Sequence, residues 1–237
     1  FIQSQSMLHG KHIFSKDIAG VRADNGDSQD FIRAGFCQHF DEAVVFGIRN
    51  GPVQVMEFIP GQFIGDPFFL GIDFIEADYL EYETDQQFDL IIMIMCDFCA
   101  LSPEQRGTLL GKFHRFLRPG GAVLFDVESL HAFEKREEAA LYEKNLMNGF
   151  WSPRVYFGFL NTFRYDREKL TLDKYTIVEP DRTRCVYNWY QYFSPESLRE
   201  ELAERGFVAE ALYGNVAGEP FDAKADEFAV VAKREED

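Results

Sequence analysis

Cysteine is scarce in this chain: the four in 237 residues, Cys37, Cys96, Cys99 and Cys185, show no regular spacing and make no disulfide framework. Cys96 and Cys99 form a C-x-x-C pair, but the second ligand pair of a zinc site is missing and the five histidines are scattered, so no metal is expected. The two thiols read as small buried hydrophobes. No apolar run reaches the roughly 18 residues that a membrane span requires; the longest, Leu90 to Cys96, is of strand length. Positive charge is short as well. Lysine and arginine number 24 against 40 acids, a formal net charge of −16 that repels phosphate backbones and argues against nucleic acid as the partner. The opening "FIQSQSMLHGKH" lacks the zones of a signal peptide, so the cytoplasm is the expected compartment, with no membrane partner. Because it starts at Phe1 rather than Met, the chain is expected to lack its natural first residues. There is no internal repeat, and no G-x-G-x-x-G opens a helix, which disfavours a nicotinamide-dependent oxidoreductase.

Apolar residues, by contrast, make up 46% of the chain, and 25 of them are phenylalanine, enough for an aromatic-rich globular core. "FDLIIMIMC" (88 to 96) has the continuous apolar character of a central parallel strand. "SPEQRGTLLGKFHRFL" (102 to 117) predicts a helix capped by Ser102 with Pro103 at its first position, stopped by "RPGG" (118 to 121). "AVLFDVES" (122 to 129) is the next strand, completing a βαβ unit. A charged helix is expected over 131 to 146. Residues 150 to 193 then read as antiparallel strands with turns at "YDREK" and "EPDRT". "SPESLREELAERGF" (194 to 207) is a second capped helix, followed by strands "VAEALYG" (208 to 214) and "EFAVVAKR" (227 to 234). Residues 30 to 48 suggest a short helix and a strand.

The stretches "FIEADYLEY", "FDLIIMIMCDFCALSPEQR", "FHRFLRPGGAVLFDV" and "YFSPESLREELAERGF", in this order, resemble the class I S-adenosylmethionine-dependent methyltransferases of small-molecule type, over roughly residues 71 to 237. The resemblance implies an α/β fold with a Rossmann-like, mostly parallel sheet and an antiparallel substrate lobe inserted late in the chain. The expected division is an N-terminal segment 1–50, an α/β core over 51–148 and 194–237, and the lobe at 149–193. It implies S-adenosylmethionine as cofactor and methyl transfer to a small molecule, with Asp73 at the ribose, Asp78 and Tyr79 at the adenine, and the loop of Cys96 and Asp97 at the reactive end. Asp126 and Glu128, at a strand end on the same rim, are the candidate catalytic acids. Phe150, Trp151, Tyr187 and Trp189 are candidates to line the substrate pocket. The oligomeric state is left open.

The glycine-rich turn after the first strand of that family is degenerate. Glu57 is the candidate acid, and Gly61 is what remains of the turn "IPGQF". No crossover helix fits between "GIDF" and "IEADYLEY", although each reads as a strand end, and parallel neighbours need a dozen or more connecting residues. Either segments are missing near residues 63–75, or residues 53 to 82 form another structure and cofactor binding is compromised. The second case would leave a non-catalytic binding or scaffold protein on the same fold.

Overall fold

The structure, a computed structural model, describes residues 44–48, 53–57 and 72–235, with the backbone alone for 44–48, 53–57, 72–74 and 76. In chain order its strands and helices are β1 (Val44–Ile48), β2 (Val53–Glu57), β3 (Ile72–Glu76), β4 (Phe88–Met93), α1 (Pro103–Phe116), β5 (Leu117–Glu128), α2 (Leu130–Lys135), β6 (Ala139–Lys144), β7 (Phe157–Tyr165), β8 (Leu170–Val178), β9 (Thr183–Gln191), α3 (Pro195–Ala203), β10 (Phe207–Tyr213) and β11 (Glu227–Arg234). Seven strands form one sheet in the order β10-β11-β5-β4-β1-β2-β3, and four form a second in the order β6-β7-β8-β9. In the large sheet β4 and β5 are parallel, as are β2 and β3, while β1 is antiparallel to both of its neighbours and β11 to both of its own. Five strands therefore run one way, and the carboxyl ends of β2, β3, β4 and β5 share one rim. The fold is α/β, as the family resemblance implies, but the large sheet is mixed: five of its seven strands share a direction, while only two of its six pairings are parallel.

The centre of this sheet forms where the apolar runs are densest. Ile91 and Met93 of β4 and Val123, Phe125 and Val127 of β5 are buried against Leu109, Leu110, Phe113 and Phe116 of α1. The helix starts where the sequence places it: the Ser102 hydroxyl accepts from the Gln105 amide, and the Gln105 side chain accepts from the Ser102 amide at 2.8 Å. Arg106 clasps α1 to α3, its Nε donating to Glu201 Oε1 at 2.6 Å and its Nη1 to the Leu101 carbonyl at 2.8 Å. The same guanidinium lies over the rings of Phe98 and Phe193, so its burial is compensated by a carboxylate, a carbonyl and two aromatic faces.

The second sheet is an insertion between β5 and α3. Its two connections meet: the Leu130 amide donates to the Phe193 carbonyl at 3.0 Å, and the Phe193 amide donates to the Glu128 carbonyl at 2.9 Å. One of its faces buries Tyr175 and Ile177 against Leu146, Trp151 and Tyr156.

Three local expectations are corrected. The helix expected over 131 to 146 ends at Lys135, and Ala139–Lys144 forms edge strand β6, whose Tyr142 ring stacks on Phe157 and packs at a tilt against Phe159. Pairing with β7 outweighs the local helix preference of an Ala- and Glu-rich stretch. The glycines of "RPGG" do not stop α1, because Leu117 is already extended; Gly120, at φ +75°, and Gly121, whose added Cβ would lie 2.9 Å from the Arg118 carbonyl oxygen, shape the start of β5 instead. Residues 72–76 are one unbroken strand, not the ends of two: with no residues available for a crossover between Phe74 and Ile75, the chain simply continues. The helix suggested near residue 30, the turn after Glu57 and the Phe63–Gly65 step lie outside the described residues.

Close packing inside the insertion yields a stability test. A Cβ added at Gly158 would sit 2.4 Å from Leu146 Cβ. Gly158→Ala is expected to lower stability by about 1–3 kcal/mol through overpacking, read as a fall in the urea midpoint at unchanged slope; an unshifted midpoint would contradict the packing of Leu146 described above.

Candidate active site

The rim at the carboxyl end of β4 is built on an unusual backbone. Met95 and Cys96 are both left-handed, at φ 73° and 55°, a conformation that is uncommon for non-glycine residues. Their two amides point to Asp126 of β5, whose Oδ2 accepts from Met95 at 3.2 Å and whose Oδ1 accepts from Cys96 at 2.8 Å. Successive left-handed amides make a small anion-binding concavity, and here the anion is the protein's own carboxylate. The turn delivers Asp97 into the short 3₁₀ segment Asp97–Ala100, where Asp97, Phe98 and Cys99 are buried. Cys99 is fixed to the adjacent strand, its Sγ accepting from the Glu128 amide at 3.2 Å.

Cys96, Asp97, Asp126 and Glu128 thus come together around the ends of β4 and β5. Glu57 ends β2 on the same rim, by its register with Val44. Asp78 and Tyr79 follow β3, at the outer edge of the sheet, with β1 and β2 between them and β4. Asp78 is exposed and shapes its own turn: Oδ1 accepts from the Leu80 amide at 2.8 Å and the carbonyl accepts from Glu81 and Tyr82. Tyr79 is half-buried against the main core. Asp73 is not at a strand end; it pairs with Gln54 near the start of the parallel pair. Gly61 lies outside the described residues.

The four aromatic candidates separate. Trp151 is buried on Tyr175, with ring centroids 4.9 Å apart, and Phe150 is exposed beside it. Tyr187 and Trp189 are exposed, because alternation along β9 turns odd-numbered residues away from the large sheet. The even-numbered neighbours Asn188 and Tyr190 face the rim, and sequence reading passed them over. The Tyr190 hydroxyl is buried without a hydrogen-bond partner, packed toward Cys99, Cys96, Glu128 and Asp97; burial first, then these groups, push its pKa well above the ordinary phenol value. The signal was present in "VYNWYQYF", where period two makes Tyr187 and Trp189 one set and Asn188 and Tyr190 the other, but only the register with β8 shows which set faces in.

Both catalytic candidates hold their protons unusually tightly. Burial, followed by repulsion from Glu227 and Asp226, pushes Glu128 up to about 7, with Arg136 pulling the other way. Burial also pushes Asp126 up to about 6, against the hydrogen bond from Cys96 that favours the carboxylate. The two differ in what they can do. Asp126 has an amide on each oxygen and acts on the backbone. Glu128, half-buried and near neutrality in its titration, is able to exchange a proton at the rim. The Cys96 thiol is held protonated, chiefly by its contact with Cys99 and by burial, which makes it a poor nucleophile or metal ligand. Among the described residues no cluster of three or more His, Cys, Asp or Glu side chains is placed to hold a metal, and no helix is long and apolar enough to cross a membrane.

Residues 65–121, from just before β3 to the start of β5, match the family model described as a methyltransferase domain. A comparison with curated protein sequences finds no match. Among solved structures, the chain is similar to the CcbJ methyltransferase from Streptomyces caelestis, with a TM-score of 0.53 at 11% identity over 72% of this chain and 67% of that one. It is similar also to an S-adenosylmethionine-dependent methyltransferase from Clostridium acetobutylicum ATCC 824, with a TM-score of 0.52 at 11% identity over 70% of this chain and 66% of that one. The fold is that of the methyltransferases. The domain match begins beyond Glu57 and Gly61, so it rests on the β3–β4–α1 region and leaves out the stretch read as a degenerate glycine turn. The match identifies residues 65–121 as methyltransferase-like, and the solved structures show the fold.

The raised carboxyl groups predict a pH dependence of stability whose sign is opposite to that of a salt-bridged acid. Unfolded carboxyl groups titrate near 4, whereas Asp126 and Glu128 release their protons at about 6 and about 7 in the folded chain. Between these limits the folded state binds more protons, so the contribution of the pair to stability falls as pH rises from about 4 to about 7. Glu128→Gln removes one member. Urea unfolding across pH 4.5 to 8 is expected to show the variant gaining on the parent protein as pH rises; a constant difference would show that Glu128 titrates normally.

Proposed function

We propose that the chain transfers a methyl group from S-adenosylmethionine to a small acceptor held between the rim of the large sheet and the inner face of the second sheet. The observation that carries this reading is the grouping of Asp97, Glu128 and the unpartnered Tyr190 hydroxyl beside the Asp126-held turn, within and next to the region that matches a methyltransferase domain. The residues present suit the cofactor: acids and aromatic rings favour a sulfonium, and a buried hydroxyl without a partner suits a polar ligand. Cys96 and Asp97 would border the reactive end, with Glu57, Asp78 and Tyr79 carried over from the family resemblance for the remainder and Gly61 for the turn; Asp73, near the start of β3 and away from the rim, drops out of the site.

When bound, S-adenosylmethionine supplies an already activated methyl group. The chain's own task is then alignment and proton management. Tyr190 and Asn188 on β9 border the space above the rim from the inserted side, and Trp151, with Phe150 beside it, closes the apolar end of the same sheet. Glu128 accepts a proton from an acceptor that arrives protonated, and its titration near neutrality suits that role. Asp126 positions Cys96 and Asp97 and does not itself need to change protonation. The acidic surface, at a net charge of −16, suits a neutral or cationic small molecule rather than a phosphate-rich polymer, and the reading sets the reaction in the cytoplasm.

Calorimetric titration with S-adenosylmethionine tests the cofactor, and saturable heat is expected. With an accepted substrate, Glu128→Gln is expected to lower kcat by about 10²- to 10⁴-fold and to remove the limb of the pH–rate profile near 7. Unchanged kcat across that pH range would take the proton-acceptor role away from Glu128.

A further inference from the structure

The outer face of the second sheet has no described element packed on it, yet it is not built as a solvent face. Alternation along β6 to β9 sends Tyr142, Phe157, Phe159, Phe163, Tyr187 and Trp189 to this side, and each is 38% exposed or more. The charge pattern is equally one-sided. In a chain with 40 acidic residues, the set that alternates outward, from Ala140 through Phe157, Leu170 and Thr183 to Gln191, contains no aspartate or glutamate. Its cations are Lys144 and Lys174, the latter lying 5.8 Å from the centre of the Tyr187 ring. The inward set of the same strands carries Glu143 and Asp173, so acids are absent from one face rather than from the sequence.

We infer that this acid-free aromatic face is the surface on which two copies of the chain associate, sheet against sheet. An exposed aromatic patch of this kind marks a contact site. What identifies the partner is charge. Two copies each carrying −16 repel overall, and a face free of acids is where that repulsion at contact is smallest. A strongly acidic partner would need more cations than the face offers, and a basic partner would need acids, of which it has none. The area is adequate. Four strands about 4.8 Å apart and up to nine residues long at about 3.3 Å each give a face of roughly 19 by 30 Å. Two such faces cover roughly 1,100 Å², at the lower bound of about 1,000–1,200 Å² for a specific interface. Facing sheets pack about 10 Å apart with interleaved side chains, and a two-fold axis through the face would set the aromatic rows of one copy against those of its partner. The inference does not depend on the methyl-transfer reading.

Light scattering coupled to size-exclusion chromatography, at micromolar concentration and two ionic strengths, tests this on the full chain. The expected result is twice the 27.4 kDa chain mass for the parent protein and a single chain mass for Phe163→Glu with Trp189→Glu. Both side chains are solvent-facing in one copy, so the circular dichroism spectrum should not change. Cys185 lies on the same face and is exposed; with Cys37→Ser as background, its labelling should slow as concentration rises. A monomeric parent protein would overturn the inference. So would a dimer that survives the double substitution but is lost with Leu141→Pro, because it would assemble through the free edge of β6.

Discussion

The most consequential contact in this molecule is the one between the Asp126 carboxylate and two consecutive amides at the end of β4. A strand that leaves a sheet has backbone donors to satisfy, and Met95 and Cys96 direct both of theirs at one buried acid on the neighbouring strand. That contact fixes the exit angle of the chain, and with it the burial of Asp97, Phe98 and Cys99, the seating of Arg106 over Phe98, and the start of α1. The same contact engages both Asp126 oxygens with backbone amides. Two acids two residues apart therefore divide the labour, one shaping the backbone and the other open to the rim.

Electrostatics reinforce that division. A chain this acidic concentrates negative charge where strand ends converge, and Glu227 and Asp226 on β11 and before it raise the proton affinity of Glu128 beyond what burial achieves alone. At the far end of the second sheet the opposite occurs. Glu179, fully covered, is ringed by Arg182, Ser152 and Arg154 and is held down to about 2. One pole of the inserted sheet is thus a permanently ionised clasp, while its other pole lies over the rim where Glu128 of β5 titrates near neutrality.

Where one physical signal dominated, the sequence was enough to read the fold. The run "FDLIIMIM", the Ser102–Pro103 and Ser194–Pro195 caps and the alternation after residue 156 each pointed to the element found. Where two signals competed, tertiary contacts decided. "EEAALYEK" has good helix formers, but the ladder to β7 and the rings of Phe157 and Phe159 draw it into a strand. The candidate site was legible at β5, where Asp126 and Glu128 close an apolar strand, and much less so on β9. Alternation divides its aromatics into two faces without saying which one looks inward, and Tyr190 emerges only once β9 is registered against β8. Residues 71–82 misled for a covalent reason: two plausible strand ends were adjacent, and the backbone could make them only one strand.

The insertion joins the core through two stems that are hydrogen-bonded to each other at Ser129 and Phe193. Chain ends that close together allow everything from Leu130 to Tyr192 to be exchanged as a cassette without altering the direction in which β5 leaves the core or α3 enters it. The inserted sheet and the Asp126 turn are thus anchored separately, the first through its paired stems and the second through the ends of β4 and β5.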